Sequence, residues 1–153
     1  MMIRAILAFI FSFIALFAVA GDAMVIAVDP KPLVITTSAG NVPFDLELAD
    51  TDLERSAGLM FRQDFPKNRA MLFDFGQTRA VSMWMKNTPL PLDMLFVDET
   101  GLIVGIALNT TPQSLDVISS PKPVRYVLEI KAGQAKANNI ETGDRLFHPL
   151  IGQ

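Results

Sequence analysis

The sequence contains no cysteine and only one histidine, one tryptophan and one tyrosine. Without cysteine there are no disulfides, no thiol chemistry and no thiolate-bound metal, so packing alone must hold the chain together. A single histidine, His148, leaves a Ser-His-Asp triad one candidate base, and no nucleophile-elbow sequence accompanies it. Lying near the C-terminus before Pro149, it reads as a surface residue. No His pair or DxDxDG loop is present, and neither a metal nor a cofactor is expected. Charge of one sign is also lacking: 13 Lys and Arg are scattered among 16 Asp and Glu. The clustered basic residues of a nucleic-acid surface are missing, and no nucleic acid is expected as a partner.

One hydrophobic run stands out, at the start. Arg4 precedes an apolar stretch from Ala5 to Ala20, ending Ala18-Val19-Ala20 before Gly21-Asp22. A membrane-spanning helix needs about 20 apolar residues, and this run is shorter. A positive start, a short apolar segment and a small-x-small site predict a signal peptide over 1–20, cleaved near Ala20. The chain is thus expected to be exported, periplasmic or extracellular, touching membrane only through its leader before cleavage. Residues 21–32, with Asp29-Pro30-Lys31-Pro32, read as a linker, and 33–153 as a single β-rich globular domain. Removing Arg4 from the 13 basic residues leaves 12 against 16 acidic ones in the exported part.

Within the domain, Leu33–Thr37 and Val42–Ala49 have strand patterning and are joined at Ser38-Ala39-Gly40-Asn41. Thr51-Asp52-Leu53-Glu54 is a capping box opening a short helix, whose apolar stripe would be Leu53, Ala57, Met60 and Phe61. Further strands are expected over 70–75, 80–86, 93–97, 102–108 and 126–131, and around Leu146-Phe147. A second helix is expected over 132–139. Asp98-Glu99-Thr100-Gly101 suits a hairpin loop, and 109–123, with three prolines, a surface loop. Segments such as Leu102–Leu108 are apolar on both faces, which a one-sided sheet does not need. The fold class is therefore α+β, a compact antiparallel barrel-like sheet with two short helices.

The segment SMWMKNTPLPLDMLF (82–96) is the most unusual. If 80–86 and 92–97 form a hairpin, Lys86 and Asp93 lie opposite each other at its base. Pro89 and Pro91 then stiffen a turn that carries an ammonium, an amide, a hydroxyl and a carboxylate beside the Trp84 indole. Two readings fit these residues. The turn is a small-molecule site, or it is a cross-strand ion pair that fixes register.

Several blocks form a recognisable pattern. They are Glu54-Arg55-Ser56-Ala57-Gly58-Leu59-Met60-Phe61-Arg62, Ala70-Met71-Leu72-Phe73-Asp74-Phe75, Trp84-Met85-Lys86-Asn87-Thr88-Pro89-Leu90-Pro91-Leu92-Asp93, Val127-Leu128-Glu129-Ile130-Lys131-Ala132-Gly133 and Gly143-Asp144. Their order resembles the uncharacterised bacterial and archaeal family known as domain of unknown function 192, over about residues 33 to 148. The resemblance implies a compact β-rich α+β domain, often exported, with no established activity or cofactor. It also implies a recurrent polar set: Arg55, Arg62, Lys86, Asn87, Asp93 and Glu129.

In one reading of this set, Arg55 or Lys86 holds a small polar or anionic ligand. Asp93 or Glu129 then accepts its hydrogen bonds, and Trp84, Asn87 and Thr88 complete the site. In the other, Arg55 and Lys86 neutralise Asp93 and Glu129 as an internal brace. Glu129, between Leu128 and Ile130, favours bracing. The methionines at 60, 71, 83, 85 and 94 read as packing. The leading expectation is an exported ligand- or partner-binding module with no assigned catalytic residue. The alternative is a small hydrolase or carbohydrate-acting enzyme using Asp93 and Glu129. A third reading has the 109–123 loop docking on an envelope protein.

Overall fold

The computed structural model describes residues 21–152, so the expected leader lies outside the described residues. Strand β1 (Leu33–Thr37) turns at Ser38-Ala39 into β2 (Gly40–Ala49). The helix α1 (Asp52–Ala57) follows, then β3 (Arg69–Arg79) and the two-residue β4 (Ser82–Met83). Next come β5 (Leu92–Val97), β6 (Ile103–Ala107) and a short β7 (Ile118–Ser119). The chain ends with β8 (Val124–Lys131), α2 (Gln134–Ala137) and β9 (Arg145–Phe147). Seven strands form one sheet in the order β6-β5-β8-β3-β2-β1-β9, while β4 and β7 pair separately. All pairs are antiparallel except β2–β3, which α1 connects as a crossover.

The sheet curls into a half-barrel. Its two edges approach where Leu102 bridges Arg145, Ile103 N–H donates to Asp144 O at 2.9 Å, and Leu146 N–H donates to Gly101 O at 2.8 Å. Gly101 has φ +86, and a Cβ there would stand 2.6 Å from Leu146 O, so this corner requires glycine. The α+β, barrel-like class expected from two-sided apolar strands holds.

Alternation divides the buried side chains between two faces. Ile35, Leu46, Leu72, Leu95, Ile103, Leu128 and Leu146, one from each of the seven strands, meet on the inner face with Ala135 and Ile140 from the α2 region. Met71, Phe73, Leu92, Met94, Phe96 and Val127 face outward and are covered by Leu59, Phe65, Val81 and Met85 from the connecting segments. Each fully buried side chain of this size contributes about 1.5–3 kcal/mol. The functional question concerns the outer face.

Several local expectations change. The hairpin of 80–86 with 92–97 does not form: β4 pairs with β7, and β5 lies between β6 and β8. The capping box of α1 is present, but the helix stops at Gly58, where φ is +46. Phe61 then has φ +64, so Met60 and Phe61 do not continue the stripe, and Leu53 is 70% exposed. Residues 21–32, expected as a linker, run against the sheet: Asp29 N–H donates to Leu46 O at 2.7 Å, Val28 bridges Glu47, and Ile26 packs on the outer core. His148 is buried rather than superficial, its Nε2 being 3.3 Å from Lys31 O and 3.6 Å from Asp29 Oδ1. It joins the two ends of the described chain.

Candidate functional site

A row of side chains crosses the outer face in register: Glu47 of β2, Met71 of β3, Glu129 of β8, Met94 of β5. Both glutamates are buried, and they are treated very differently. Glu47 receives Arg62 through two bonds of 3.0 and 2.6 Å and Arg69 through a third of 3.0 Å. Arg62 also donates Nε–H to Met24 O at 2.9 Å. A buried carboxylate held by two guanidinium groups is well paired, and this cluster ties β2, β3, the segment after α1 and the N-terminal segment around Met24 together.

Glu129 has no such partner. It is 4% exposed, and among the described residues no hydrogen bond or ion pair reaches its carboxyl group. Burial alone pushes its pKa up to about 8, because removing a carboxylate from water without a compensating charge favours the neutral acid. At neutral pH it is a carboxylic acid, with one O–H to donate and a carbonyl oxygen to accept.

The carboxyl group lines a concavity of about 390 Å³. One wall is α1 and its end, with Asp52, Arg55, Ser56, Gly58, Leu59 and Met60. The sheet supplies Phe73, Phe75 and Arg79 of β3, and the opposite wall is Ser82 and Met83 of β4 with Trp84 and Thr88. Gly58 matters here, since a Cβ on it would meet the Phe73 ring at 3.1 Å. The result is a hollow lined about equally by polar and apolar surface, at the small end of the size range for ligand sites.

The positions expected from sequence divide between this hollow and elsewhere. Arg55 lies on its wall but is already occupied, donating to Asp52 Oδ1 at 2.6 Å, to Asp74 O at 2.8 Å and to Asp50 O. Trp84 is 49% exposed, and the Lys86 ammonium sits 5.1 Å over its ring, a cation–π pair at the rim. Thr88 is buried against the hollow, its hydroxyl donating to Lys86 O at 3.1 Å. Asn87, at φ +54, accepts Phe61 N–H on its backbone oxygen at 2.7 Å and clamps the turn to the end of α1.

Asp93 is not with them. It is fully buried on the inner side of the sheet, its Oδ1 accepting Asn109 N–H at 2.8 Å and its Oδ2 accepting Ala135 N–H at 3.0 Å. The expected Lys86–Asp93 pair is therefore absent, because the strands that would align them are not neighbours. Asp93 opposes Ile130 of the inner core whereas Glu129 opposes Met94 of the outer one, so the two carboxyls occupy opposite faces. They cannot act as an acid/base pair. The brace and site assignments are thus exchanged: Asp93 braces, and Glu129 lines the hollow.

Arg79 was not singled out from sequence. Exposed at the far end of β3, it rests over the Phe75 ring at 4.7 Å, and it has no ion pair among the described residues. It falls between the blocks 70–75 and 84–93, outside both, so the motif pattern passes over it. Nor did Glu47 attract notice, since a Glu in a half-alternating strand reads as solvated. Among the described residues no group of three or more carboxylates or imidazoles is placed to hold a metal.

The half-barrel belongs to an α+β domain class seen in solved structures. A protein of Sinorhizobium meliloti 1021, described as a candidate transcription regulator, is 42% identical with TM-score 0.76, the match covering 81% of this chain and 97% of that one. A protein of unknown function from Novosphingobium aromaticivorans DSM 12444 is 32% identical with the same TM-score, covering 82% and 94%. The chain belongs to the DUF192 family (Uncharacterized ACR), whose profile matches residues 34–148. No curated protein matches the sequence.

Proposed function

We propose that the chain is an exported ligand-binding module whose site is the hollow between α1, β3 and the Trp84 turn. The observation that carries this reading is Glu129: a buried carboxyl group in β8, an interior strand of the sheet, without a partner among the described residues, lining a cavity of ligand size. Opening onto the hollow, it offers a ligand seated there a hydrogen bond that the protein does not supply, worth about 0.5–1.5 kcal/mol net. Its neighbour Glu47 shows how the same fold satisfies a glutamate it uses only for bracing. The regulator description of the Sinorhizobium relative finds no footing as DNA binding here, given the surplus of acidic residues.

A thermal-shift screen of the purified protein against small polar metabolites, followed by Trp84 fluorescence, tests the reading. A ligand that binds the folded form raises Tm by mass action. The expected hit shifts Tm and fluorescence in the wild type and both much less in Glu129→Leu. Failure of every compound to move either signal contradicts the proposal.

A further inference from the structure

The charge and hydrogen-bonding chemistry of the hollow narrows the ligand further, resting on the binding reading above. We propose that it takes a small aromatic or branched organic acid with a second, uncharged acceptor: the acceptor receives the Glu129 O–H, the body lies against Phe73, Phe75 and Trp84, and the anion meets Arg79. Three observations converge on this class. The inner polar group is a buried acid with no hydrogen-bond partner among the described residues. The apolar lining is aromatic on two sides, from β3 and from Trp84. The charge at the rim is positive. Asp52 and Arg55 cancel through their 2.6 Å ion pair, leaving Arg79 over Phe75 and Lys86 over Trp84.

The charged groups around Glu129 agree. From α1 there are Asp52 and Arg55, and from β3 Arg79 and Arg69, the latter bound to Glu47. Beyond Met71 lies Glu47 of β2 paired with Arg62 from the segment after α1, along β8 lie Arg125, bonded to Asp74, and Lys131, 3.9 Å from Asp64, and the Trp84 turn carries Lys86. Outward-facing positions of β5 carry only Leu92, Met94 and Phe96. None of these groups bonds Glu129, and its pKa, pushed up to about 8 by burial, keeps it a donor at neutral pH. A ligand ammonium would instead have to pass two cations and ionise a carboxyl group that burial holds neutral.

Calorimetry on the purified protein with three probes decides the class. These are 4-acetylbenzoate (acceptor and anion), 4-ethylbenzoate (anion only) and 4-ethylbenzylamine (cation only). The expected result is 4-acetylbenzoate binding at least tenfold more tightly than either other probe at pH 7. A site that binds only the protonated form of a group with pKa near 8 weakens about tenfold between pH 7 and pH 9, taking up close to one proton at pH 9. Glu129→Gln, which keeps an N–H donor, should retain binding and lose the pH dependence, whereas Glu129→Leu should lose the preference over 4-ethylbenzoate. Arg79→Ala should weaken both benzoates and leave the amine unaffected.

Tight binding of the amine with release of a proton at pH 7 would overturn the inference while leaving the hollow a binding site. So would acetylbenzoate binding that Glu129→Leu leaves unchanged. Binding by none of the probes overturns the inference alone if the metabolite screen gives a hit, and the binding reading with it if the screen is also silent.

Discussion

At the scale of single residues, the two buried carboxyls of the recurrent polar set have opposite tasks. Asp93 is fully used: each oxygen accepts a backbone N–H, one of them in the first turn of α2. Asn in its place offers one acceptor oxygen and an amide that cannot accept, so a backbone donor is left unpaired inside the protein. Asp93→Asn is therefore expected to destabilise the fold by roughly 2–4 kcal/mol, measured by urea unfolding, without changing the probe preference of the outer hollow. The sequence could not separate these tasks. Both residues sit in strands with apolar neighbours on either side, and two-sided burial erases the alternation that would tell inner from outer face. Only the register, Asp93 against Ile130 and Glu129 against Met94, assigns them.

Among the elements, strands with clean alternation or a strong turn were legible. Leu33–Thr37 was expected and found, and the Asp98–Gly101 loop joins β5 to β6 as its Asp and Gly suggested, with Asp98 Oδ1 accepting Thr100 and Leu102 N–H. The failure at 80–86 is equally physical. Val81 and Met85 are buried as an alternating strand requires, yet alternation reports burial and not the partner. Here the covering partner is the two-residue β7, too short to leave a signal inside the 109–123 loop. The Glu47–Arg62–Arg69 cluster is the other device that joins elements. Arg62→Ala removes two of the three guanidinium bonds to a buried carboxylate and is expected to cost about 3–5 kcal/mol. The triple variant Arg62→Met, Arg69→Met, Glu47→Leu, which leaves no charge of the cluster unpaired, should recover much of that loss, which denaturation curves on the single and triple variants check.

For the whole molecule, an acid kept neutral by burial makes stability depend on pH. The folded-state pKa of Glu129 is about 8, against 4.5 for an unperturbed glutamate, so between these values the folded state holds a proton that the unfolded chain releases. Stability from this group is therefore complete below about pH 4.5, declines as pH rises, and levels off above about pH 8, a change on the order of a few kcal/mol. The expected observation is a Tm that falls across this range in wild type and falls less in Glu129→Gln, whose side chain cannot ionise. Such a cost is one that a bracing residue would not carry, and it joins the energetics of the whole fold to its outer hollow.

The ionisation of one side chain, Glu129, decides whether the outer hollow is built to receive a ligand. With glutamate carboxyl carbons labelled by ¹³C and the Glu129 signal assigned by its loss in Glu129→Gln, an NMR titration from pH 3 to pH 10 reads it. A midpoint near pH 8 is the predicted result. A midpoint at or below 4.5 would mean that water or an unseen cation already satisfies the group, and the proposed site would lose its foundation.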